Sequence, residues 1–175
     1  MMKKTFYGKY RGVVTKINDP RMIGRVRATV PDVMGDKESG WAMPSAPFGG
    51  NGMGFFALPK VGTGVWIEFE CGDPDYPIWS GCWFGSKAEM PPVLLTDPPG
   101  SPFKTPAKKV LLKTEGGHSV LLDDTLGEGG ITLETSEGQK IVMKATGIEI
   151  DNGRGASIKL TGPQVSINGG ALEVT

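Results

Sequence analysis

A short acidic stretch is the first place in this sequence where side-chain chemistry is conceivable, because closely spaced carboxylates are the ligands that hard cations prefer. Its members are Glu68, Glu70, Asp73 and Asp75. The stretch first alternates as a strand and then turns at two prolines, so we expect these carboxylates to face solvent or a partner protein. We therefore predict no metal ion and no cofactor.

The two cysteines, Cys71 and Cys82, flank a predicted hairpin centred near Asp75. Symmetric pairing about that turn sets Cys71 opposite a residue near Trp79, so two reduced, packed thiols are favoured over a disulfide. The following residues 81–87 superficially resemble a phosphate-binding loop. They lack the spacing of such a loop and the helix that should follow it.

The single histidine, His118, follows Gly117 at the start of a predicted strand. A metal pair would need a second histidine, and a serine nucleophile would need a neighbouring base. We expect His118 to lie in a turn or on the surface. The sequence thus predicts no catalytic residue and no enzyme.

The composition indicates a turn-rich chain without a dominant charge. It has 175 residues, which suits one or two domains, with 27 glycines and 14 prolines. Basic and acidic residues number 19 each, so no net field favours nucleic acid or an anionic membrane. The first twelve residues include a small basic cluster but no apolar core, so we expect no signal peptide. No run of apolar residues is long enough to span a bilayer.

The segment 110–175 has the period of β-strands with one buried face. Apolar residues recur at every second position in short runs, and a Gly or Asn turn signal closes each run. The polar residues between them are Thr132, Glu149, Lys159, Ser166 and Glu173. The predicted inward-facing residues are Ile131, Leu133, Ile141, Met143, Ile148, Ile150, Ile158, Leu160, Val165 and Ile167.

Such a ladder of short strands lacks a sufficient interior of its own. Each run offers about two apolar side chains, and both sheet edges would leave backbone groups unpaired. Three copies wound about a common axis would bury the apolar edges. The sequence therefore predicts a homotrimeric, triple-stranded β-helix spike over residues 110–175, with the ten residues above as the trimer core.

The segment 1–86 indicates a small β-barrel. Strands are predicted at 10–17, 25–30, 65–70 and 78–84, with an extended edge piece at 41–47 that is interrupted by Pro44. The glycine-rich residues 49–52 are expected to form a flexible loop, and no helix is predicted. Short strands at this spacing are typical of a closed or partly closed barrel.

Residues 87–109 are rich in proline and read as a semi-rigid linker. Two interpretations stay open for it. It could wrap a neighbouring subunit, with Val93, Leu94 and Leu95 as the anchoring patch. It could equally be a loose tether.

The N-terminal segment also resembles a known family. The matching elements over roughly residues 8–86 are Gly24-Arg25-Val26, Trp41, the loop with Gly52 and Gly54, Leu58-Pro59-Lys60-Val61-Gly62, Val65, Phe69, Gly72-Asp73-Pro74-Asp75, Pro77 and Gly81. Together they resemble the OB-fold domain of phage baseplate assembly protein V and of type VI secretion spike proteins. The resemblance implies an all-β chain with an OB domain followed by a triple-stranded β-helix.

The resemblance also implies a function and partners. Such proteins are homotrimeric central spikes of contractile tails or injection-system baseplates, in a virion or an injection particle, and they contact the target envelope transiently. Their OB domain attaches to a trimeric hub protein, and a PAAR-repeat protein covers the tip. The hub-contact candidates are Gly72, Asp73, Pro74 and Asp75. The tip-contact candidates are Ala171, Leu172, Glu173, Val174 and Thr175.

The sequence departs from parts of the family pattern. There is no room for a muramidase domain between barrel and ladder, and no hub domain precedes the barrel, so we expect a separate hub protein. Some members hold iron through paired histidines near the C-terminus, which are absent here.

Two rival functions follow from the residues themselves. OB folds often bind single-stranded nucleic acid, which requires a basic groove with exposed aromatic platforms. The aromatic residues are present, but the basic residues are scattered and balanced by acids. A polysaccharide hydrolase would need two carboxylates across a cleft, and a narrow prism offers no cleft.

Overall fold

Short β-strands build both parts of the chain in the computed structural model, which describes residues 4–95 and 108–174. The chain divides into two units, Met1–Glu89 and Met90–Thr175. We call them the barrel unit and the sheet unit. The prediction of an all-β protein is confirmed.

Within its described residues, 4–89, the barrel unit contains seven strands and one α-helical turn. The strands are β1 (Tyr10–Lys16), β2 (Arg27–Thr29), β3 (Met43–Pro44), β4 (Gly49–Gly50), β5 (Met53–Gly54), β6 (Gly64–Phe69) and β7 (Pro77–Cys82), and the helix is α1 (Pro31–Met34). Short 3-10 helices lie at Glu70–Gly72 and Lys87–Glu89. Five of the strands form one sheet in the order β2-β1-β6-β7-β3.

The two edges of this sheet meet and close the barrel. Val26 precedes β2 and Ala42 precedes β3, and the two residues form an antiparallel bridge with N to O distances of 3.2 and 2.8 Å. Alternation along β6 then sends every second side chain inward. The fully buried core is Val14, Val26, Ala28, Val30, Ala42, Val65, Ile67 and Phe69.

Two local predictions for the barrel unit were wrong. No helix was predicted, but Pro31 begins the single turn of α1 directly after the second strand. Proline is well tolerated at the first position of a helix. The glycine-rich residues 49–52 form part of a hairpin in which β4 pairs with β5, not an irregular loop. Asn51 and Gly52 make its two-residue connection.

The sheet unit begins with a 3-10 helix at Pro92–Leu95 and continues as a meander of eight antiparallel strands. The strands are β8 (Lys109–Lys113), β9 (Ser119–Asp123), β10 (Gly130–Glu134), β11 (Lys140–Lys144), β12 (Gly147–Asp151), β13 (Ser157–Thr161), β14 (Gln164–Ile167) and β15 (Leu172–Val174). Each strand pairs with the next one in the chain. Tight connections require glycine at some positions; a Cβ at Gly147 would lie 2.1 Å from the Leu160 carbonyl oxygen.

The single-chain sheet differs from the interwoven strands that the sequence predicted. Each strand of this meander pairs with its neighbours in sequence within the one chain. The β-helix therefore stays a prediction. The predicted limits 1–86, 87–109 and 110–175 also stay predictions, and residues 1–3, 96–107 and 175 lie outside the described residues, including four of the linker prolines.

Candidate functional site

The face of the sheet unit carries two continuous columns of apolar side chains. Residues directly opposite each other in an antiparallel pair, and residues two apart on one strand, share a face. The register of all seven strand pairs therefore fixes both columns. The first column is Leu112, Val120, Leu133, Ile141, Ile150, Ile158, Ile167 and Leu172. The second is Val110, Leu122, Ile131, Met143, Ile148, Leu160 and Val165, and the backbone of Val174 continues it.

All ten predicted core residues lie in these two columns, and the structure brings them together on one face. They are only partly covered within one chain: Leu133 is 40% exposed, Ile150 43% and Leu160 37%. Among the described residues of the sheet unit, no side chain is buried. Their assignment as the trimer core remains a prediction at the level of individual residues.

The opposite face of the sheet is mixed and largely polar. The paired positions give its middle row, which begins with two leucines and becomes polar: Leu111, Leu121, Thr132, Val142, Glu149, Lys159 and Ser166. Glu149 and Lys159 lie directly opposite each other and form an ion pair at 3.4 Å. The two faces therefore have different chemistry, as a sheet with one covered face should.

A groove of about 840 Å³ runs along the first column. Leu133, Ile141 and Ile150 line its floor, and the turns before β9 and β13 line its rim. His118 lies in the first of these turns, exposed, where its Nδ1 accepts a hydrogen bond from the Ser136 amide at 3.3 Å. His118 thus connects two turns at the edge of the sheet.

The Asp123 carboxylate, at the end of β9, contacts Thr125 and Lys109. Burial raises its pKa, but hydrogen bonds from Thr125 and from Lys109 outweigh burial and lower the pKa overall. The Lys109 Nζ lies 3.3 Å from the carboxylate. This contact ties the first strand of the sheet unit to the second.

Sequence reasoning missed two buried or half-buried carboxylates in the barrel unit. Asp19 accepts hydrogen bonds from the amides of Arg21, Ile23 and Arg25 at 3.0 to 3.3 Å. The Arg25 guanidinium also donates to Asp19, and this hydrogen bond is the main reason that the pKa of Asp19 is well below its usual range. The sequence feature that could have indicated this contact is an aspartate in a turn, six residues before an arginine.

The second carboxylate, Glu38, accepts hydrogen bonds from three side chains. Its oxygens accept from Thr15 at 2.6 Å and from Lys16 and Arg27 at 3.1 Å. These hydrogen bonds, that of Thr15 first, lower the pKa of Glu38 to about 2. Glu38 therefore fixes the segment after α1 to strands β1 and β2.

The hub-contact candidates lie in the turn between β6 and β7. Cys71 has φ of 51° and Gly72 of 77°, so the chain reverses through the left-handed region. Gly72 is buried, Asp73 and Pro74 are half-buried, and Asp75 is exposed. The Asp73 carboxylate accepts from the Asp75 amide at 3.0 Å, and their contact with a hub remains a prediction.

The acidic stretch does not converge on a common point. Glu68 pairs with Lys9 at 2.7 Å, whereas Asp73 bonds within its own turn. Among the residues that the structure describes, no group of three or more His, Cys, Asp or Glu side chains could hold a metal ion. Within the same residues, no helix is long and apolar enough to cross a membrane.

The two cysteines are free thiols, and both are exposed. The prediction that both thiols are packed was wrong, since Cys71 lies exposed in the left-handed turn and Cys82 lies exposed at the end of β7. Cys82 pairs with Val65 across the sheet.

The tryptophan rings of the barrel unit are engaged by the chain itself. The Arg11 guanidinium lies 5.9 Å from the Trp66 ring and 5.3 Å from the Trp83 ring. Arg25 and Arg27 lie over Trp41 in the same way, at 5.6 and 5.1 Å. These contacts occupy ring faces that a base-stacking platform would need.

The tip-contact candidates lie at the last edge of the sheet. Ala171 belongs to the turn before β15, and Leu172, which begins β15, is 56% exposed. The side chains of Glu173 and Val174, and all of Thr175, lie outside the described part of the chain. Contact of this edge with a tip protein remains a prediction.

Two family models match the chain, one on each unit. The model described as the type VI secretion system/phage-baseplate injector OB domain matches residues 10–84. The model described as the phage baseplate V C-terminal trimerisation domain matches residues 109–173. The second match covers all eight strands that carry the apolar columns, and the predicted family is confirmed.

Similar proteins include spike proteins of type VI secretion systems. The type VI secretion system spike proteins VgrG4b and VgrG5 of Pseudomonas aeruginosa are both 37% identical, over 62% and 40% of this chain. The actin cross-linking toxin VgrG1 of Vibrio cholerae is 30% identical over 58% of this chain. The chain spans only about a tenth of the length of these relatives, 12%, 9% and 9% respectively.

Proposed function

The chain belongs to the phage baseplate V family, and from this premise we propose that it is the central spike of a contractile tail or injection-system baseplate. The observation that carries the proposal is the pair of apolar columns crossing all eight strands of its trimerisation domain. An apolar face of this extent, uncovered in one chain, needs other copies to cover it. The role is structural, and no catalytic step is assigned to the chain.

Three sheets that face a common axis would bury the columns. Burying a whole Ile, Leu or Val side chain contributes about 1.5–3 kcal/mol, so covering the remaining 40% or so would add roughly 1 kcal/mol per residue. Ten such residues in three chains give a gross gain on the order of tens of kcal/mol before the cost of association. The backbone ladder adds rigidity, because strands must be broken together to shear the sheet.

The spike would transmit force along the stack of strands. Eight strands spaced at about 4.7 Å give a length on the order of 35 Å. In the proposed particle the OB domain attaches to a trimeric hub, the residues 171–175 meet a PAAR-repeat tip protein, and the tip enters the target envelope. The family membership and the exposed Leu172 edge support these partners.

The proposal is tested by placing a charge on the apolar face. Ile150→Asp puts a carboxylate on the first column of all three copies, and we expect the trimer to be lost in sedimentation velocity and in heat-treated gel samples. The matched control is Ser166→Asp on the other face, opposite Lys159, which should remain trimeric. A trimeric Ile150→Asp variant would refute the assignment of this face.

A further inference from the structure

One face of the β4–β5 hairpin in the barrel unit carries three large apolar side chains. The hairpin pairs Gly49 with Gly54 and Gly50 with Met53, and the Phe55 amide donates to the Phe48 carbonyl at 3.0 Å. By this register Phe48, Met53 and Phe55 share a face with Gly50. We call these three side chains the hairpin face.

The other side of the hairpin is bare backbone at the Gly49–Gly54 pair. The Met53 side chain lies over Gly50, where an added Cβ would be 3.0 Å from its terminal methyl group. A two-stranded hairpin with four glycines has little stability of its own. Any contact that the hairpin face makes therefore adds to its order.

The hairpin face is exposed within the single chain. Phe48 is 57% exposed, Met53 62% and Phe55 51%. The surrounding residues 39–59 contain no charged side chain. Aromatic residues and methionine are enriched, and charges depleted, in the cores of protein interfaces.

The base of the hairpin is fixed to the barrel. The Phe56 ring lies against Gly24, where an added Cβ would be 2.7 Å from the ring. The Gly24 carbonyl in turn accepts a hydrogen bond from the Trp79 indole at 3.0 Å. The hairpin face is thus held at a defined place on the barrel unit.

The hairpin lies away from the turn that was predicted to meet the hub. β3 runs parallel to β7, and β7 begins directly after residues 72–75, whereas the hairpin follows the far end of β3. The predicted hub turn contains two acidic residues, but the hairpin face contains none. The two surfaces therefore suit partners of different chemistry.

We propose that the hairpin face docks on the barrel unit of a neighbouring copy in the homotrimer. The inference rests on the proposed function. The trimerisation domain keeps two other barrel units tethered nearby at all times, which raises their effective concentration far above that of any separate partner. Interfaces between permanently associated copies are more apolar than other protein interfaces. An uncharged surface of Phe and Met side chains fits an interface of this kind.

Photo-crosslinking in the full chain tests this contact. Benzoylphenylalanine replaces Phe55, and unlabelled chains are mixed with ¹⁵N-labelled chains before the trimer forms. Irradiation of the purified homotrimer should give an adduct of two chains, with the link in residues 4–89 of a second copy. Phe55 is half exposed, so the probe does not enter the barrel core.

The control places the same probe at Tyr76, which is 61% exposed in the hub turn, and we expect several-fold less adduct between copies. A trimer in which the Phe55 probe links only within its own chain, or only to an added hub protein, would overturn the inference and leave the proposed function standing. A chain that sediments as a monomer before irradiation would overturn the proposed function instead.

Hydrogen exchange gives a second readout without any change in the hairpin. Amides of residues 48–55 should exchange several-fold faster in the monomeric Ile150→Asp variant than in the trimer, because the neighbouring barrel unit is no longer held nearby. Equal exchange rates in the two forms would contradict docking of the hairpin face.

Discussion

The barrel unit and the sheet unit use the same short alternating strands but bury their apolar side chains in different places. The barrel closes on itself, and eight apolar residues from Val14 to Phe69 are inaccessible to solvent or nearly so. Each strand of the sheet unit carries a pair of apolar residues, and none of those whose side chains the structure describes is fully buried. Closure of the edges, through the bridge between Val26 and Ala42, is what separates the two outcomes.

The two units therefore obtain their stability from different sources. A closed barrel can fold as one chain because its interior forms within the chain. An open sheet with one apolar face gains its interior only when another surface covers it. We therefore expect the barrel unit to behave as a unimolecular fold and the sheet unit as a concentration-dependent one.

The same truncation in the two units should separate them most sharply. Ile67→Ala removes a fully buried side chain from the barrel core and should cost about 2–5 kcal/mol in the free energy of unfolding of that unit alone. Ile158→Ala affects all three sheets of the trimer at once, so its cost should recur about three times in the free energy of dissociation. The larger effect should belong to Ile158.

The aromatic residues make this comparison measurable. All four tryptophans, at 41, 66, 79 and 83, lie in the barrel unit, so tryptophan fluorescence follows the barrel alone, and sedimentation follows the trimer. For Ile67→Ala we expect a lower fluorescence midpoint and an intact trimer. For Ile158→Ala we expect a weaker trimer at low chain concentration with an unchanged fluorescence midpoint. Reversed outcomes would mean that the two units do not stabilise themselves separately.

Acid should weaken the barrel unit through two carboxylates. The pKa of Asp19 is lowered mainly by the hydrogen bond from Arg25, and that of Glu38 is lowered to about 2, mainly by the hydrogen bond from Thr15. A carboxylate whose pKa is lowered in the folded state stabilises the fold at pH values above its ordinary pKa. This stabilisation is lost as the pH falls through the pKa of the folded state. The fluorescence-detected melting temperature should therefore fall as pH drops from about 4.5, the ordinary value for Glu38, towards 2.

The control for the acid effect is Glu38→Gln. At neutral pH this variant should have a lower melting temperature than the parent chain. On acidification its melting temperature should fall by less than that of the parent chain. An unchanged pH slope would show that Glu38 does not contribute to the acid sensitivity of the barrel.

The smallest effect is expected on the outer face of the sheet unit. Glu149→Ala or Lys159→Ala breaks a partly exposed ion pair, and such pairs contribute about 1 kcal/mol or less. Sedimentation should still find trimers for both variants, with a melting transition close to that of the parent chain. Loss of the trimer here would indicate that the polar face, not the apolar columns, lies between the copies.

The sequence predicted most of the sheet unit because alternation leaves little choice there. A slip of one residue would expose every Ile and Leu of a strand, so the pairs Ile148 and Ile150 or Ile158 and Leu160 determine both strand and face. The pairing partners were harder to predict, since apolar runs alone do not tell whether neighbours come from one chain or three. In the structure, neighbouring strands of the sheet unit pair within the one chain.

The barrel unit was predicted less completely, because its details depend on side-chain hydrogen bonds. Glu38 is held by partners that are distant in sequence, whereas Asp19 is held by residues of its own turn. Period-two patterns reveal neither arrangement. The β4–β5 hairpin was missed although Asn51-Gly52 is a common two-residue hairpin connection. The surrounding glycines made the segment look like a loop.

Association of the sheet unit is the basis of the proposed function, and sedimentation equilibrium of the full chain measures it. We predict a single species with three times the 18.6 kDa chain mass at micromolar concentration. A stable species with the mass of one chain, under conditions in which fluorescence shows a folded barrel, would refute the homotrimeric spike.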